Sequence, residues 1–205
     1  MKQTIDSTGA LKKTTSWNNA AFGFGRDDGF SLIELGIGLL VAIMLCGFAL
    51  VQMNDIMPGI NANKAMYAAV AQLRQGRELA IAQRRSISLL FVGEDQIGLV
   101  RNELPDGEQA FSTIYLGNGC KFMQFDEITQ DTPDTFGNTA AIDFGGAQEL
   151  TFLSDGTLVD ELGSPVSGTV FIGLTNHPEV ARAVTVLGAT GRVRGYRWDG
   201  SKWIQ

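Results

Sequence analysis

His177 is the only histidine of the chain. It stands in Thr175-Asn176-His177-Pro178, a turn composition. With no cysteine or second histidine near it, neither a nucleophilic triad nor a zinc site can be assembled. The segment Gly188-Ala189-Thr190-Gly191-Arg192-Val193 sets glycines beside an arginine. It lacks the GxxxxGK[ST] spacing and the following helix of a phosphate loop. The acidic stretch Asp126–Asp134 has carboxylates for calcium without the alternating ligands and glycine of an EF-hand, and reads as a solvated loop. Cys46 lies in an apolar run and Cys120 far downstream, so no disulfide framework is read. These patterns predict no enzyme, no metal and no cofactor.

Two other constellations are sharper. The first is the tail Thr190-Gly191-Arg192-Val193-Arg194-Gly195-Tyr196-Arg197-Trp198, with Lys202 beyond it. Strand alternation puts Arg192, Arg194, Tyr196 and Trp198 on one face. Arginines interleaved with aromatics suit nucleic acid, where guanidinium groups meet phosphates and rings stack on bases. The tail is locally basic although the chain carries a net charge of −6. Between Glu94 and Glu161 there are fourteen acids against Arg101 and Lys121, whereas Arg182 to Lys202 holds five basic residues and only Asp199 as an acid. The same arginines could equally neutralise the acidic middle or a neighbouring subunit.

The second is Glu34, the only charge between Phe30 and Val51. That run exceeds the roughly 20 residues a helix needs to cross a ~30 Å hydrocarbon core. A charge near the centre of such a helix costs roughly 2.5–3.5 kcal/mol, so its presence calls for a partner. Lys2, Lys12, Lys13 and Arg26 precede the run and Lys64 is the next basic residue. By the positive-inside rule the N-terminus is cytoplasmic. A cleavable secretory signal would have a shorter apolar core, of about 7–15 residues, and a small-x-small ending; here the run ends in Val51-Gln52-Met53-Asn54.

The elements that must position these residues follow from periodicity. Residues 1–29 are polar and without apolar repeat. Pro58-Gly59 predicts a kink or short break. Beyond it Ala62, Met66, Ala69, Leu73, Gly76 and Ala80 form a stripe of mostly small residues along one helical face. From Ser86 the texture is that of strands: 86–92, 96–102, 111–116 and 120–125, then two hairpins, one around Ser154-Asp155-Gly156 and one around Thr175–Pro178. Residues 126–138 read as a loop. A long helix followed by meandering antiparallel strands is an α+β pattern.

Gly29-Phe30-Ser31-Leu32-Ile33-Glu34-Leu35 resembles the processing site of type IV pilins and type II secretion pseudopilins. The helix ending in ELAIAQRRSISLLF, the ELTFLSDGTLVD hairpin and the closing VTVLGATGRVRGY are similar to the GspH/FimT branch of minor pseudopilins. Asp27-Asp28 stand where that family usually has basic residues.

The resemblance implies a pilin-like fold, with a long N-terminal helix, transmembrane in its first half, packed on an antiparallel β-sheet domain. It implies a leader, 1–29, cut by a prepilin peptidase between Gly29 and Phe30, with Phe30 then N-methylated. Residues 30–53 are the expected transmembrane half of the helix, 54–85 its amphipathic half, and 86–205 the globular domain. Glu34 would meet the freed amine of a neighbouring subunit during assembly. The expected place is the inner membrane, crossed once, with the C-terminal domain outside the cytoplasm. Expected partners are other pilins or pseudopilins of a type II secretion pseudopilus or type IV pilus. The alternative function is a pilus-associated DNA receptor. Some FimT-like members bind DNA through a GRxR motif, here Gly191-Arg192-Val193-Arg194, to which Arg197 and Lys202 add charge; GRxR-like endings also occur in secretion pseudopilins.

Overall fold

The computed structural model describes residues 31–103, 107–128 and 132–205. Gly29, Phe30 and the rest of 1–30 lie outside them. The chain divides into two compact units, one ending at Leu45 and one running from Cys46 to Gln205.

Helix α1 (Leu32–Gln83) opens on Ser31, whose Oγ accepts the Ile33 N–H at 3.3 Å and whose carbonyl accepts the Leu35 N–H at 3.0 Å. Ser31 and Glu34 have the S-x-x-E spacing of a capping box, and Glu34 sits in the first turn, where the helix dipole favours an anion. The first part of α1 is apolar on every side: Leu32, Leu35, Ile37, Leu40 and Leu45, spread round the helix, are all exposed. Among the described residues no helix is long and apolar enough to cross a membrane. Within the apolar run 30–51 the side chains described end at Phe48. The break expected at Pro58-Gly59 does not form, and α1 continues through Pro58. A proline removes one N–H bond at a cost of ~3 kcal/mol, which a long helix bonded on both sides can absorb.

The later part of α1 buries the expected stripe: Ala62, Ala69, Leu73 and Ala80 are wholly enclosed and Met66 nearly so. Gly76 shows why small residues are needed, since a Cβ there would lie 2.8 Å from Leu99 Cδ2. Gln72 is the polar exception on this face. Its Nε2 donates to the carbonyls of Ile97 and Ser112, both at 3.2 Å.

Eleven strands follow: β1 (Ile87–Val92), β2 (Gln96–Glu103), β3 (Gly107–Tyr115), β4 (Cys120–Phe122), β5 (Ile142–Asp143), β6 (Leu150–Phe152), β7 (Leu158–Val159), β8 (Gly168–Leu174), β9 (His177–Leu187), β10 (Arg192–Trp198) and β11 (Trp203–Ile204). All pair antiparallel, but in two sheets rather than one: β3-β2-β1-β6-β7, and β11-β10-β9-β8-β4 with β5 also on β8. The hairpin around Ser154–Gly156 forms as β6–β7, with Phe152 opposite Leu158. The second hairpin is tighter than its sequence suggests. His177 is the first residue of β9, paired with Leu174, and Asn176 takes the left-handed turn conformation at φ 64°.

Leu73 of α1, Ile87, Leu99 and Phe152 of the first sheet, and Ile172 and Val184 of the second share one core. Truncating any of these to Ala costs about 2–5 kcal/mol. The second sheet has a second buried face. The long connection between β4 and β5 folds over it, placing Phe125 and Ile128 against Phe171, Ala183, Tyr196 and Trp203. Strands β8 and β9 are therefore covered on both sides, which is why their sequences read as nearly continuous apolar runs.

Candidate functional site

The basic tail is strand β10, presented by a single 3-10 turn (Gly188–Thr190) that reverses the chain from β9. Gly191 ends this turn at φ 60°, and a Cβ there would fall 2.1 Å from the Gly156 carbonyl oxygen. The glycine of the GRVR segment is thus required by backbone geometry and packing alone.

On the face of β10 turned to the β4–β5 connection, the arginines meet Asp134. Its Oδ2 accepts from Thr185 Oγ1 at 2.6 Å and from the Tyr196 hydroxyl at 2.8 Å. Its Oδ1 accepts from Arg194 Nη1 at 3.0 Å, while Arg192 Nη2 stands at 3.9 Å. Burial pushes the Asp134 carboxyl up, but the hydrogen bonds from Thr185 and Tyr196 and the charges of Arg194 and Arg192 outweigh it, and its pKa is lowered. Burial and the bond to Asp134 raise the Tyr196 hydroxyl. Arg194 is raised by its contact with Tyr196 and by Asp134. Asp134 belongs to the stretch weighed as a calcium loop; here it is occupied by its own chain.

The four basic residues of the tail do not converge. Arg192 and Arg194 lie on the Asp134 face. Arg197 pairs across the ladder with Arg182 and lines the groove beside α1 with Asn63, Met66 and Gly195. Lys202 sits beyond the Asp199–Ser201 turn that leads into β11, its N–H donating to Asp199 Oδ1 at 2.8 Å. Arg182, counted among the basic residues of the tail, is 6% exposed and structural. Its Nε donates to Asn63 Oδ1 at 2.8 Å and its Nη1 to the Ala181 carbonyl at 2.9 Å, and burial lowers its pKa. The aromatics are packed as well: Tyr196 is buried, and Trp198 meets the buried Trp203 edge-on, with ring centroids 5.3 Å apart.

Sequence reasoning missed two arginines. Arg74 and Arg77, three residues apart on α1, reach the β9–β10 turn. Arg74 Nη2 donates to the Val193 carbonyl at 3.1 Å and Arg77 Nε to the Thr190 carbonyl at 2.9 Å. With Arg192 and Glu78 they line a cleft of about 400 Å³. The usable signal was the i, i+3 spacing, which stacks two side chains on one helix face.

Of the assembly residues, Glu34 is exposed in the first turn of α1, and Gly29 and Phe30 lie outside the described residues. His177 Nδ1 contacts Glu179 Oε1 at 2.8 Å at the surface. Cys46 and Cys120 are both free, the latter buried, which raises its thiol pKa. Among the described residues no three His, Cys, Asp or Glu side chains are grouped to hold a metal ion.

No protein-family model matches the chain, and none of the curated proteins matches it. It is similar in shape to solved structures of two secretion and pilus proteins. The minor pseudopilin EpsH from the type 2 secretion system of Vibrio cholerae aligns at 16% identity and TM-score 0.45, covering 67% of this chain and 97% of that one. The type IV minor pilin FimU of Pseudomonas aeruginosa aligns at 18% identity and TM-score 0.46, covering 76% of this chain and 97% of that one.

Proposed function

We propose that this chain is a minor pseudopilin-type subunit, a structural component of a type II secretion pseudopilus or a type IV pilus. The observation that carries the reading is the place of the G-FSLIEL segment. Its last five residues begin α1 at the Ser31 cap, and Glu34 is the one charge in a stretch whose other side chains are apolar all round. A helix apolar on every side is suited to lipid or to the flanks of like helices. The run from Phe30 to Val51 supplies the length to cross a bilayer. The carboxylate in that run is tolerable where a cation meets it, and an N-terminus freed at Phe30 of a neighbouring subunit is such a cation.

The alternative, a DNA receptor acting through Arg192, Arg194, Arg197 and Lys202, is the weaker reading. Asp134 holds Arg194, Arg197 lies on the opposite face, and the aromatics that would stack on bases are packed inward.

Processing tests the reading. Intact-mass measurement of the chain purified from the membrane of its own cell should give a mature product beginning at methylated Phe30. A bulky residue in place of Gly29 should leave the leader attached, since glycine offers a protease no side-chain obstruction. A mature start elsewhere sinks the proposal.

A further inference from the structure

We propose that the cleft between α1 and the β9–β10 turn is a carboxylate-binding site that receives an acidic segment of a neighbouring protein. That this neighbour is a filament subunit rests on the function proposed above; the anion chemistry does not.

The cleft is built around Arg77. Two hairpin turns leave their glycines against it: a Cβ on Gly156 would stand 3.1 Å from Arg77 Nε, and one on Gly191 would stand 2.8 Å from it. The Thr190 carbonyl takes that Nε–H, and the Val193 carbonyl takes one N–H of Arg74. A guanidinium has five N–H donors in a fixed fork, so each arginine is anchored by one and keeps the others. Among the described residues no carboxylate pairs with Arg74 or Arg77, and Arg192, half-exposed, is only loosely held at 3.9 Å from Asp134. Arg74 and Arg77 thus face one open space, with Arg192 also in its lining and Glu78 the sole acid among the described residues that border it.

The same lining selects among anions. Among the described residues no aromatic borders the cleft, so none of them offers a ring to stack on a base. Glu78 in the wall repels a dense polyanion such as a nucleic-acid backbone. Separate carboxylates on a flexible peptide can each take an arginine fork in bidentate fashion and stay clear of Glu78.

The test uses the full chain in neutral detergent and a fluorescently labelled hexaglutamate peptide, read by anisotropy at low salt. Saturable binding is expected. Replacing Arg74 and Arg192 together by Gln should weaken it roughly tenfold, as loss of two exposed charge-assisted contacts implies. Glu78→Gln should strengthen it several-fold, and Arg197→Gln should leave it unchanged. Arg77 is kept because the glycines of both turns, Gly156 and Gly191, pack against its side chain. Absent binding, or equal binding by the double variant, overturns the proposal. So does a short DNA duplex that binds through these arginines while hexaglutamate does not, which would make the site one for nucleic acid. Hexaglutamate binding as expected in a chain that is never cut at Gly29 would keep the carboxylate site and remove the filament subunit as its source.

Discussion

Asp134 and Arg194 are joined at 3.0 Å across sixty positions of chain, and the hydroxyls of Tyr196 and Thr185 close on the same carboxylate. One acid from an irregular connection thereby ties down two strands and one arginine of the basic tail. It also fixes the connection over the outer face of the second sheet, where Phe125 and Ile128 cover Phe171 and Tyr196. The acidic middle and the basic tail, separate in sequence, here neutralise each other.

Acid should therefore loosen this face first. The folded pKa of Asp134 lies below its unfolded value, so its contribution is present above the ordinary carboxylate range, near 3.9. It is lost as pH falls through the folded value. Trp203, packed beside Phe171 at 5.8 Å, reports the change by fluorescence. Asp134→Ala leaves the Tyr196 and Thr185 hydroxyls without their acceptor and should cost about 1–3 kcal/mol at neutral pH. It should also flatten the acid dependence, and an unaltered acid profile in the variant would show that Asp134 does not hold the loop.

What was legible in the sequence was whatever repeats or turns locally. The Ala62–Ala80 stripe shows its buried face because helical period and burial coincide there. The Ser154–Gly156 hairpin shows its turn because Gly156, at φ 87°, adopts a conformation that few other residues accept. The division into two sheets was not legible, since strand runs carry no mark of which neighbour they pair with. Nor was the role of Asp134, which depends on a contact made by a segment without periodicity. Nor were Arg74 and Arg77, because their partners are backbone carbonyls of a distant turn, which leave no trace in residue type.

Gly191→Ala separates motif from scaffold. The new Cβ would face the Gly156 carbonyl oxygen at 2.1 Å and sit on a backbone at φ 60°. Left-handed strain of roughly 1 kcal/mol and overpacking of about 1–3 kcal/mol act together. A loss of about 2–4 kcal/mol in urea unfolding of the detergent-solubilised chain is expected, without any ligand present. A neutral substitution would mean that the glycine serves binding and not the turn.

Glu34→Ala should leave the chain inserted and processed. The substitution removes a charge from an apolar segment, and the lost first-turn dipole interaction is worth only about 0.3–1 kcal/mol. If the carboxylate meets the amine of the next subunit, crosslinking to partner pilins in membranes should fall while the amount of mature chain does not. Crosslinking at the wild-type level would count against a role for Glu34 in subunit contact.

The DNA reading can be tested by its salt dependence. Three or four phosphates neutralised by the tail would give a log–log slope of roughly −3 to −4 against salt, with affinities of about 10⁻⁴ to 10⁻⁶ M. The geometry predicts less. Arg194 is engaged by Asp134, Arg182 is enclosed, and Arg197 lies on the other face of β10 from Arg192. Arg192, Arg194 and Arg197 thus do not form one phosphate-binding face. Titrating labelled duplex with the full chain in neutral detergent should therefore give a tail contribution no steeper than about −1 to −2, unchanged by Arg194→Gln. Asp134→Asn, which removes the competing charge but keeps an acceptor for Tyr196, should steepen the slope by about 1 as Arg194 is released. A wild-type slope near −4 that drops by about 2 on replacing Arg192 and Arg194 with Gln would establish the tail as the DNA contact, and Asp134 would then be a partner that DNA displaces.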